Sequence, residues 1–456
     1  MNYQSIVSAQ HNFFNQNHTK SISFRIKQLK LFRKMILENE SDLYTAIYKD
    51  FGKSELETFS SEIGLVLKDI SHALKNIKSW SAKKRVKNNL INFLGKSLIV
   101  PEPLGVCLVI GAWNYPYYLT FSPAVAALAA GNTVVIKPSE ISANTSALMT
   151  NLVANYFDKR VFTSVEGAVT ETTKLLNIKF DKIFFTGSTR VGKIVYAAAA
   201  KQLTPVTLEL GGKSPAIVTK NCNLNKTVKR LVWAKFFNAG QTCIAPDYIL
   251  VHSAVKDKFV KAVKQEIIRR KYAVKNKNYV QIVNDSNVDR LKKLITKEHL
   301  SFGGVVDAES RVISPTILEN LPFDHPVMQE EIFGPILPVF QYNELNQAIN
   351  YIKAQEKPLS AYVFSNSKND TNRVLKELSF GGGCVNDAVM HISNPNLPFG
   401  GIGASGIGSY HGEAGFACFS HQKSILKKSN FLELPFKYAP ISDRKLMWIR
   451  SLFKLD

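Results

Sequence analysis

Apolar residues follow a helical period near the start of the chain and form short continuous runs after residue 104. Between residues 19 and 38 they recur at helical spacing, which predicts an amphipathic helix. Later apolar runs alternate with helical patterns and predict strands at 106–111, 133–136, 161–165, 182–185 and 205–210. This alternation predicts a parallel sheet covered by helices on both faces, with ligands bound at the carboxyl ends of its strands.

The remaining chain gives a weaker pattern. Residues 90–100 are predicted to be extended, and this strand is predicted to close at Pro101 and Pro103. The second half repeats the alternation less clearly, with glycine-rich segments at 381–383 and 400–412. An α/β protein is therefore expected, and a length of 456 residues predicts two or three domains.

Composition narrows the class of protein. Hydrophobic residues make up 45% and charged residues 21%, which is typical of a globular protein. The five cysteines are scattered, without CxxC pairs or zinc-like spacing, so neither a disulfide framework nor a metal site is expected. The polar N-terminus lacks the apolar core of a signal peptide, and no run of 18 apolar residues occurs. These features predict a cytoplasmic protein.

The chain is strongly basic. Lys+Arg 58 minus Asp+Glu 36 gives +22, a charge that attracts phosphorylated cofactors or anionic lipid. The net charge has a second explanation, which is a soluble enzyme from a proteome with a general basic bias. Most of the basic residues are dispersed along the chain, which fits that explanation. The tail from residue 423 to 456 interleaves basic and aromatic residues, which suits peripheral contact with an anionic membrane or packing on a partner subunit. Nucleic acid is not an expected partner.

Three residues carry candidate catalytic chemistry. Cys243 follows Gly-Gln-Thr in a loop of small and polar residues, where a thiol can act as a nucleophile, although most single cysteines are inert. Glu209 lies at the end of a predicted strand, beside two glycines. It can act as a general base, or it can be an ordinary polar residue on one face of the strand. Asn114 follows the first strand of the sheet, where its amide can donate to an oxyanion.

Two turns are candidates for holding a nucleotide. The strand–turn–helix around Gly187, Ser188 and Gly192 can present backbone N–H groups to a phosphate. Its glycine spacing departs from G-x-G-x-x-G, so an ordinary turn remains an alternative. Lys137 and Glu140 follow another strand and can hold ribose hydroxyls, or can be a solvated loop.

Taken together and in this order, these segments resemble the aldehyde dehydrogenase superfamily. The segment ELGGKSP, which begins at Glu209, and GQTC, which ends at Cys243, are a specific pair. The resemblance runs from residue 101 to 422. The segment LPFGGIGASG at 397–406, followed by Tyr410-His411-Gly412, is similar to the class 3 branch, which oxidises fatty, aromatic and other long apolar aldehydes.

The resemblance implies a role for each candidate residue. Cys243 attacks the aldehyde, Asn114 and the Cys243 backbone N–H hold the oxyanion, hydride leaves to nicotinamide, and Glu209 activates the water that hydrolyses the thioester. The implied cofactor residues are Lys137, Glu140, Gly187, Ser188, Gly192, Glu331 and Phe333, and the implied substrate residues are Tyr115, Trp233 and Phe237. NAD is the expected cofactor, with NADP possible, since Glu140 would repel a 2′-phosphate.

The resemblance also implies a fold and a homodimer. It has a Rossmann-like NAD-binding domain, an α/β catalytic domain and a small β-arm that joins subunits. The expected divisions are 1–84 and 104–211 for NAD binding, 212–412 for catalysis, 85–103 and 413–432 for the arm, and 433–456 for the basic tail. The chain departs from the family in having Ala112 before Trp113-Asn114, and in lacking the apolar terminal helix of membrane-bound relatives.

Three alternatives remain beside this interpretation. An enzyme of the same fold could transfer the acyl group to coenzyme A, although that reaction needs no water-activating carboxylate such as Glu209. A Cys/His hydrolase is another alternative, but no motif ties a histidine to Cys243. A non-catalytic protein that binds polyanions or membrane surfaces would leave Cys243, Glu209 and Asn114 unexplained.

Overall fold

A computed structural model describes residues 2–431, 433 and 437–453 of the chain. The fold is α/β, as predicted. The helices are α1 (Tyr3–Asn15), α2 (Ile22–Glu38), α3 (Glu40–Phe51), α4 (Glu55–Thr58), α5 (Gly64–Trp80), α6 (Pro116–Ala130), α7 (Ala143–Tyr156), α8 (Val169–Leu176), α9 (Thr189–Ala200), α10 (Leu224–Phe236), α11 (Lys256–Arg270), α12 (Asp285–Leu294), α13 (Leu345–Lys353), α14 (Lys368–Glu377), α15 (Gly412–Cys418) and α16 (Asp443–Phe453).

The strands complete the element order. They are β1 (Lys84–Val86), β2 (Gly95–Pro103), β3 (Val106–Ile110), β4 (Thr133–Lys137), β5 (Phe162–Ser164), β6 (Lys182–Thr186), β7 (Val206–Glu209), β8 (Pro215–Val218), β9 (Tyr248–His252), β10 (Leu300–Phe302), β11 (Val306–Asp307), β12 (Val312–Ile313), β13 (Thr316–Glu319), β14 (Ile336–Tyr342), β15 (Ser360–Phe364), β16 (Gly382–Val385), β17 (Gly406–Ile407) and β18 (Ser420–Lys428).

A six-stranded sheet contains all five strands predicted between residues 106 and 210. Its order is β17-β7-β6-β3-β4-β5, and every neighbouring pair is parallel except the short β17 against β7. Alternate residues of β3 enter different cores: Val106, Leu108 and Ile110 pack with residues of α1 and α9, whereas Cys107 and Val109 face the core that includes α6. Both faces of this sheet are therefore covered, as its continuous apolar strands predict.

A second, seven-stranded sheet lies in the later part of the chain. Its order is β10-β13-β14-β9-β8-β15-β16, and only β10 is antiparallel to its neighbour. Helix α10 and a short irregular segment connect β8 to β9, and that segment carries residues 237–247. The second sheet thus supplies the loop of Cys243.

A small antiparallel sheet, β1-β2-β18, projects from the body. The prediction of an extended segment from 90 to 100 is wrong in part, because residues 90–92 form a turn of 3₁₀-helix and β2 begins at Gly95. Pro101 and Pro103 lie inside β2 rather than after it. They are tolerated there because β1 pairs only with residues 97–99, so β2 has one open edge at the prolines.

The described part of the chain contains no helix that is both long enough and apolar enough to cross a membrane.

Candidate active site

Four candidate residues meet where adjacent strands of the first sheet end. Glu209 is the last residue of β7, Gly187 follows β6, Asn114 follows β3, and Lys137 is the last residue of β4. The Gly187 N–H donates to the Glu209 carbonyl at 3.0 Å, which holds two of these strand ends together. The carboxyl edge of a parallel sheet gathers side chains in this way, as the sequence pattern predicted.

The loop of Cys243 is tied to the loop of Asn114 by amide hydrogen bonds. Asn114 Nδ2 donates to the Gln241 carbonyl at 3.0 Å, two residues before Cys243. Asn238 Nδ2 donates to the carbonyls of both Asn114 and Gln241 at 3.1 Å. Since an amide nitrogen carries two hydrogens, Asn114 keeps one donor for a further acceptor.

Two glycines let the segment around Glu331 approach the catalytic loops. A Cβ on Gly240, which has φ +73°, would lie 2.3 Å from the Gly334 carbonyl oxygen. A Cβ on Gly211 would lie 1.8 Å from a carboxylate oxygen of Glu331. Both distances are far below van der Waals contact. A side chain at Gly240 would collide with backbone, so only glycine fits there, whereas a side chain at Gly211 would displace the Glu331 carboxylate. The glycines of GQTC and ELGG therefore bring Glu331 beside the loops of Cys243 and Glu209.

The thiol of Cys243 is half-buried. Burial raises its pKa above the ordinary value, and the carboxylates of Glu331 and Glu209 raise it further. Hydrogen bonds from the backbone N–H groups of Cys243 and Ile244 oppose that shift by stabilising the thiolate. The thiol must therefore transfer its proton to a base as it reacts.

Glu209 is a buried carboxyl group with free hydrogen-bonding capacity. Its side chain is 3% exposed, and neither carboxylate oxygen has a hydrogen-bond partner among the described residues. Burial raises its pKa well above the usual range for glutamate. Buried carboxyl groups without partners are rare in proteins, so this one is suited to exchange protons with a substrate or a water molecule.

The segment of Glu331 is held by a lysine network that the sequence did not single out. The Lys213 ammonium pairs with the Asp247 carboxylate and donates to the Val327 and Glu330 carbonyls at 2.8 and 2.9 Å. Asp247 Oδ1 accepts from the Ile332 N–H at 2.9 Å. Lys213 lies within ELGGKSP, but nothing in the sequence indicates Asp247 as its partner.

Glu331 itself is the second unusual carboxyl group. Burial, followed by the nearby Asp247 carboxylate, raises its pKa to about 8. Its neighbour Phe333 presents an edge-to-face contact to Trp113, with ring centroids 5.3 Å apart. Glu331 thus lies near Cys243, and Phe333 contacts the residue that precedes Asn114.

The predicted nucleotide residues surround the edge of the first sheet. Lys137 is 3% exposed and its Nζ lies 2.5 Å from Glu140 Oε2, whose side chain is 41% exposed. Ser188 caps α9, with its Oγ accepting from the Val191 N–H at 3.4 Å, and Gly192 lies in the first turn. The exposed Glu140 carboxylate and the buried Lys137 ammonium can bind ribose hydroxyls. The N-terminus of α9 can bind a pyrophosphate. The residues present therefore fit a dinucleotide.

The predicted substrate residues form one aromatic cluster. The rings of Tyr115 and Phe237 stack with centroids 6.4 Å apart, and Trp233 contacts Phe237 at 5.2 Å. The Tyr115 hydroxyl lies 2.6 Å from Thr242 Oγ1, next to Cys243 in the chain. The cluster thus provides an apolar surface that reaches the thiol.

The cysteine–histidine contact in the described structure lies elsewhere. Cys384 Sγ is 3.6 Å from His391 Nδ1, and burial lowers the pKa of that imidazole to about 4. No hydrogen bond or ion pair among the described residues joins a histidine to Cys243. The arrangement thus does not favour the Cys/His hydrolase alternative.

Comparisons with known proteins identify the family. A family model described as the aldehyde dehydrogenase family matches residues 1–425. The 4,4'-diaponeurosporen-aldehyde dehydrogenase of Staphylococcus aureus (strain NCTC 8325 / PS 47) is 46% identical over 447 residues, which cover 97% of each chain. Aldehyde dehydrogenase family 3 member A2 of Rattus norvegicus is 44% identical over 440 residues, 95% of this chain and 91% of that protein.

Two further matches bear on the fold and the assembly. The dimeric NADP-preferring aldehyde dehydrogenase of Rattus norvegicus is 45% identical over 418 residues, 91% of this chain and 92% of that protein. A solved structure described as the substrate-bound state of Staphylococcus aureus AldH superposes with a TM-score of 0.97 at 45% identity, covering 99% of this chain and 100% of that chain.

The chain therefore belongs to the aldehyde dehydrogenase family, and it is an NAD(P)-dependent enzyme that oxidises aldehydes. Within the family it is similar to the class 3 enzymes, which confirms the resemblance that its glycine-rich segment indicated.

Proposed function

We propose that the enzyme oxidises long apolar aldehydes to carboxylic acids through a thioester on Cys243. The observation that supports this most is the direct hydrogen bond from Asn114 Nδ2 to the Cys243 loop, beside a buried Glu209 whose oxygens lack partners. A nucleophile, an amide donor and a free carboxyl group are the set that acyl chemistry through a thiol requires, and Glu209 lies near enough to Cys243 to raise the pKa of its thiol.

The proposed chemistry uses these three side chains in order. The Cys243 sulfur bonds to the aldehyde carbon, and its proton passes to the neighbouring Glu331 carboxylate, so that Glu209 remains free to take a proton from water later. The carbonyl electron pair moves to oxygen, and the second N–H of the Asn114 amide stabilises that oxyanion. The carbon then carries a hydrogen that can leave with its electron pair, and its departure leaves a thioester. Glu209 takes a proton from water, the hydroxide oxygen attacks the thioester, and the carbon–sulfur bond breaks.

The nicotinamide dinucleotide, when bound, accepts the hydride. We propose that Lys137, Glu140, Gly187, Ser188 and Gly192 hold it at the edge of the first sheet. We assign Glu331 and Phe333 to the ribose and the nicotinamide ring. Because the exposed Glu140 carboxylate would repel a 2′-phosphate, we infer a preference for NAD over NADP.

The substrate class follows from the aromatic cluster and from one relative. We propose that Tyr115, Trp233 and Phe237 line an apolar tunnel to Cys243. The similar Staphylococcus aureus protein is named for a diaponeurosporen-aldehyde. An apolar tunnel stabilises a bound substrate roughly in proportion to the apolar area that is removed from water, by about 25 cal/mol per Å². Long apolar, aromatic or polyene aldehydes are therefore the proposed substrates.

A kinetic panel tests substrate and cofactor together. We expect kcat/KM to rise at least about tenfold from short aliphatic to long apolar aldehydes, because each buried methylene contributes about 0.8 kcal/mol. The panel is run with NAD and with NADP, and NAD is expected to give the higher kcat/KM. A flat profile across chain length would overturn the tunnel, and a higher value with NADP would overturn the role of Glu140.

The coenzyme A alternative receives less support from the site. Acyl transfer to a thiol needs no carboxylate to activate water, whereas Glu209 lies buried at the end of β7 with its oxygens free. We propose hydrolysis of the thioester for this reason, with the free acid as the product in the presence or absence of coenzyme A.

We propose that the chain divides into three functional parts and forms a homodimer. Both proposals rest on the distribution of strands and of exposed apolar side chains. Residues 1–84 and 104–211 would bind NAD, 212–412 would carry catalysis, and 85–103 with 413–432 would form the arm that joins two subunits. The arm exposes Leu90, Ile91, Phe93, Leu94 and Leu426, each at least 43% exposed. Exposed apolar side chains grouped on and beside one small sheet are typical of a protein interface. Leu432 lies outside the described residues.

The C-terminal tail is proposed to contact an anionic membrane from the cytoplasm. Helix α16 exposes Met447, Trp448 and Phe453 at 65%, 56% and 66%, with the exposed Arg444 and Arg450 on the same short helix. Basic charge with aromatic anchors suits an anionic lipid surface, at about 1 kcal/mol per nearby Lys or Arg. All five cysteines are free, which supports a cytoplasmic location. Phe436, Lys454 and Asp456, which also entered this prediction, lie outside the described residues.

Vesicle flotation tests the tail. The full chain is expected to float with anionic but not neutral vesicles, reversibly and less at high salt, because screening weakens the attraction. A chain cut after Ser429 should stay unbound. Arg444→Gln with Arg450→Gln should weaken flotation, and Lys292→Gln with Lys293→Gln removes the same charge from α12 as a control. Equal flotation of full and cut chains would show that the tail packs elsewhere, such as on the partner subunit.

A further inference from the structure

A fully buried ion pair lies behind the loop that carries Asn114. The side chains of Lys53 and Glu62 are both 0% exposed, and Lys53 Nζ lies 2.6 Å from Glu62 Oε1. A buried ion pair is a net cost unless good geometry and further hydrogen bonds satisfy both groups. The further contacts of this pair therefore indicate what it holds in position.

Apart from the Phe51 ring, whose centre lies 4.9 Å from Lys53 Nζ, the further contacts of the pair fall on residues 114–118. Lys53 Nζ donates to the Asn114 carbonyl at 3.2 Å and lies 4.4 Å from the centre of the Tyr115 ring. Glu62 Oε2 accepts from the Tyr117 N–H at 2.9 Å, in the first turn of α6. The pair thus spans the turn between β3 and α6, with the ammonium on the Asn114 peptide and the carboxylate on the helix start.

A second buried carboxylate, Glu57, holds the other side of the same peptide. It accepts from the Asn238 N–H at 2.9 Å, and Asn238 has a left-handed backbone with φ 52°. This conformation is rare for a residue with a side chain, and the Glu57 contact helps to retain it. The Asn238 amide then donates to the Asn114 and Gln241 carbonyls. The Asn114 carbonyl therefore accepts from two donors, Lys53 Nζ and Asn238 Nδ2.

Glu57 and Glu62 come from one continuous helical segment. Helix α4 supplies Glu57, and a π-helical turn, Phe59–Ile63, follows directly and supplies Glu62. The wider i→i+5 spacing of a π-turn is uncommon and often lies at functional sites. Here two carboxylates five residues apart bind two different segments of the catalytic region, at the Asn238 N–H and the Tyr117 N–H.

We propose that Lys53, anchored by Glu62, is a positioning residue for the oxyanion site. Its ammonium fixes the plane of the Asn114 peptide, and that plane sets the direction in which the Asn114 side chain leaves the backbone. A catalytic donor must be held within about 0.5 Å of its productive place, so loss of this anchor slows the step in which the oxyanion forms. The inference rests on the proposed function, because it assumes that Asn114 stabilises the oxyanion.

A double-mutant cycle with Asn114 tests the proposal. Lys53→Met is expected to slow single-turnover NADH formation about tenfold. An effect of this size matches the coupling between Lys53 and Asn114 that is expected of two residues in contact. The NAD and aldehyde concentrations for half-saturation should stay within about twofold of the parent values, since binding surfaces are retained. In an Asn114→Ala background, the same Lys53 substitution should change the rate less than about twofold, because the residue it acts through is gone.

Controls separate positioning from general destabilisation. Asp50→Asn removes another buried carboxylate, which accepts from Asn144 and Thr145 at the start of α7. It should lower the melting temperature, yet its effect on the rate should be equal in both Asn114 backgrounds. The alkylation rate of Cys243 by iodoacetamide, a reaction without an oxyanion, should be unchanged by Lys53→Met. If Lys53→Met does not fold, Glu62→Gln, which keeps the shape of the side chain, takes its place.

The outcomes are distinct. Equal slowing by Lys53→Met in both backgrounds would overturn the positioning role while leaving the role of Asn114 intact. A parent-like rate for Asn114→Ala alone would overturn the assignment of Asn114 to the oxyanion, on which this proposal rests, while leaving Cys243 as the nucleophile. A slowed rate that disappears in the Asn114→Ala background is the result that the structure predicts.

Discussion

Cys243→Ser is expected to lower aldehyde oxidation by at least about four orders of magnitude, because loss of a nucleophile removes every later step. A serine hydroxyl keeps the size of the side chain but is far harder to ionise than a thiol. In this site, burial already raises the pKa of the thiol, so an alcohol would remain protonated. The measurement is steady-state NADH formation with a long apolar aldehyde.

Cys222→Ser is the matched control for this substitution. Cys222 is also half-buried and free, but it lies before α10, away from the ends of the first sheet. The same chemical change there should leave the rate within about twofold of the parent enzyme, as for substitutions outside the site. Substantial NADH formation by Cys243→Ser would remove this residue from the role of nucleophile.

Glu209→Gln should separate the two halves of the reaction. Hydride transfer precedes the need for a water-activating base, so the first turnover is expected to release about one NADH per active site, and later turnover should fall about 10²–10⁴-fold. The amide keeps the shape of the side chain at the end of β7 but cannot take a proton from water. Rapid-mixing absorbance at the NADH band measures both phases.

A second buried glutamate supplies the control. Glu266 is 6% exposed on α11 and pairs with Arg269 and Arg270. Glu266→Gln should lower thermal stability without producing a burst. An unaltered steady-state rate for Glu209→Gln would show that another group activates water, and Glu331 would be the next residue to test.

The first sheet could be predicted from the sequence because its strands are short, mostly apolar and separated by helical patterns. Val106–Ile110 is buried at every position, and such runs form parallel strands covered on both faces. The strand near residue 95 was predicted less well. Leu90 and Ile91 resemble strand residues by composition, but they form a short helical turn with exposed side chains, and their pattern alone gave no sign of this.

Much of the candidate site was also predictable, since its residues lie directly after strands. The rule that parallel strands end at one edge places Glu209, Asn114 and Lys137 along that edge, whereas the roles predicted for them came from the resemblance to a family. The buried ion pair of Lys53 and Glu62 was not predictable, because charged residues in a helical pattern usually face solvent. The pairing depends on contacts with residues 114–117 that are distant in sequence. The partnership of Lys213 with Asp247 was missed for the same reason.

The central claim is that the aldehyde carbon becomes bonded to the Cys243 sulfur as a thioester. The most direct test is peptide mass spectrometry of Glu209→Gln after a single turnover with NAD and a long apolar aldehyde. We predict that the peptide containing Cys243 gains the mass of the acyl group, and that hydroxylamine removes this added mass because it cleaves thioesters. One NADH formed per site with Cys243 unmodified would contradict the covalent mechanism.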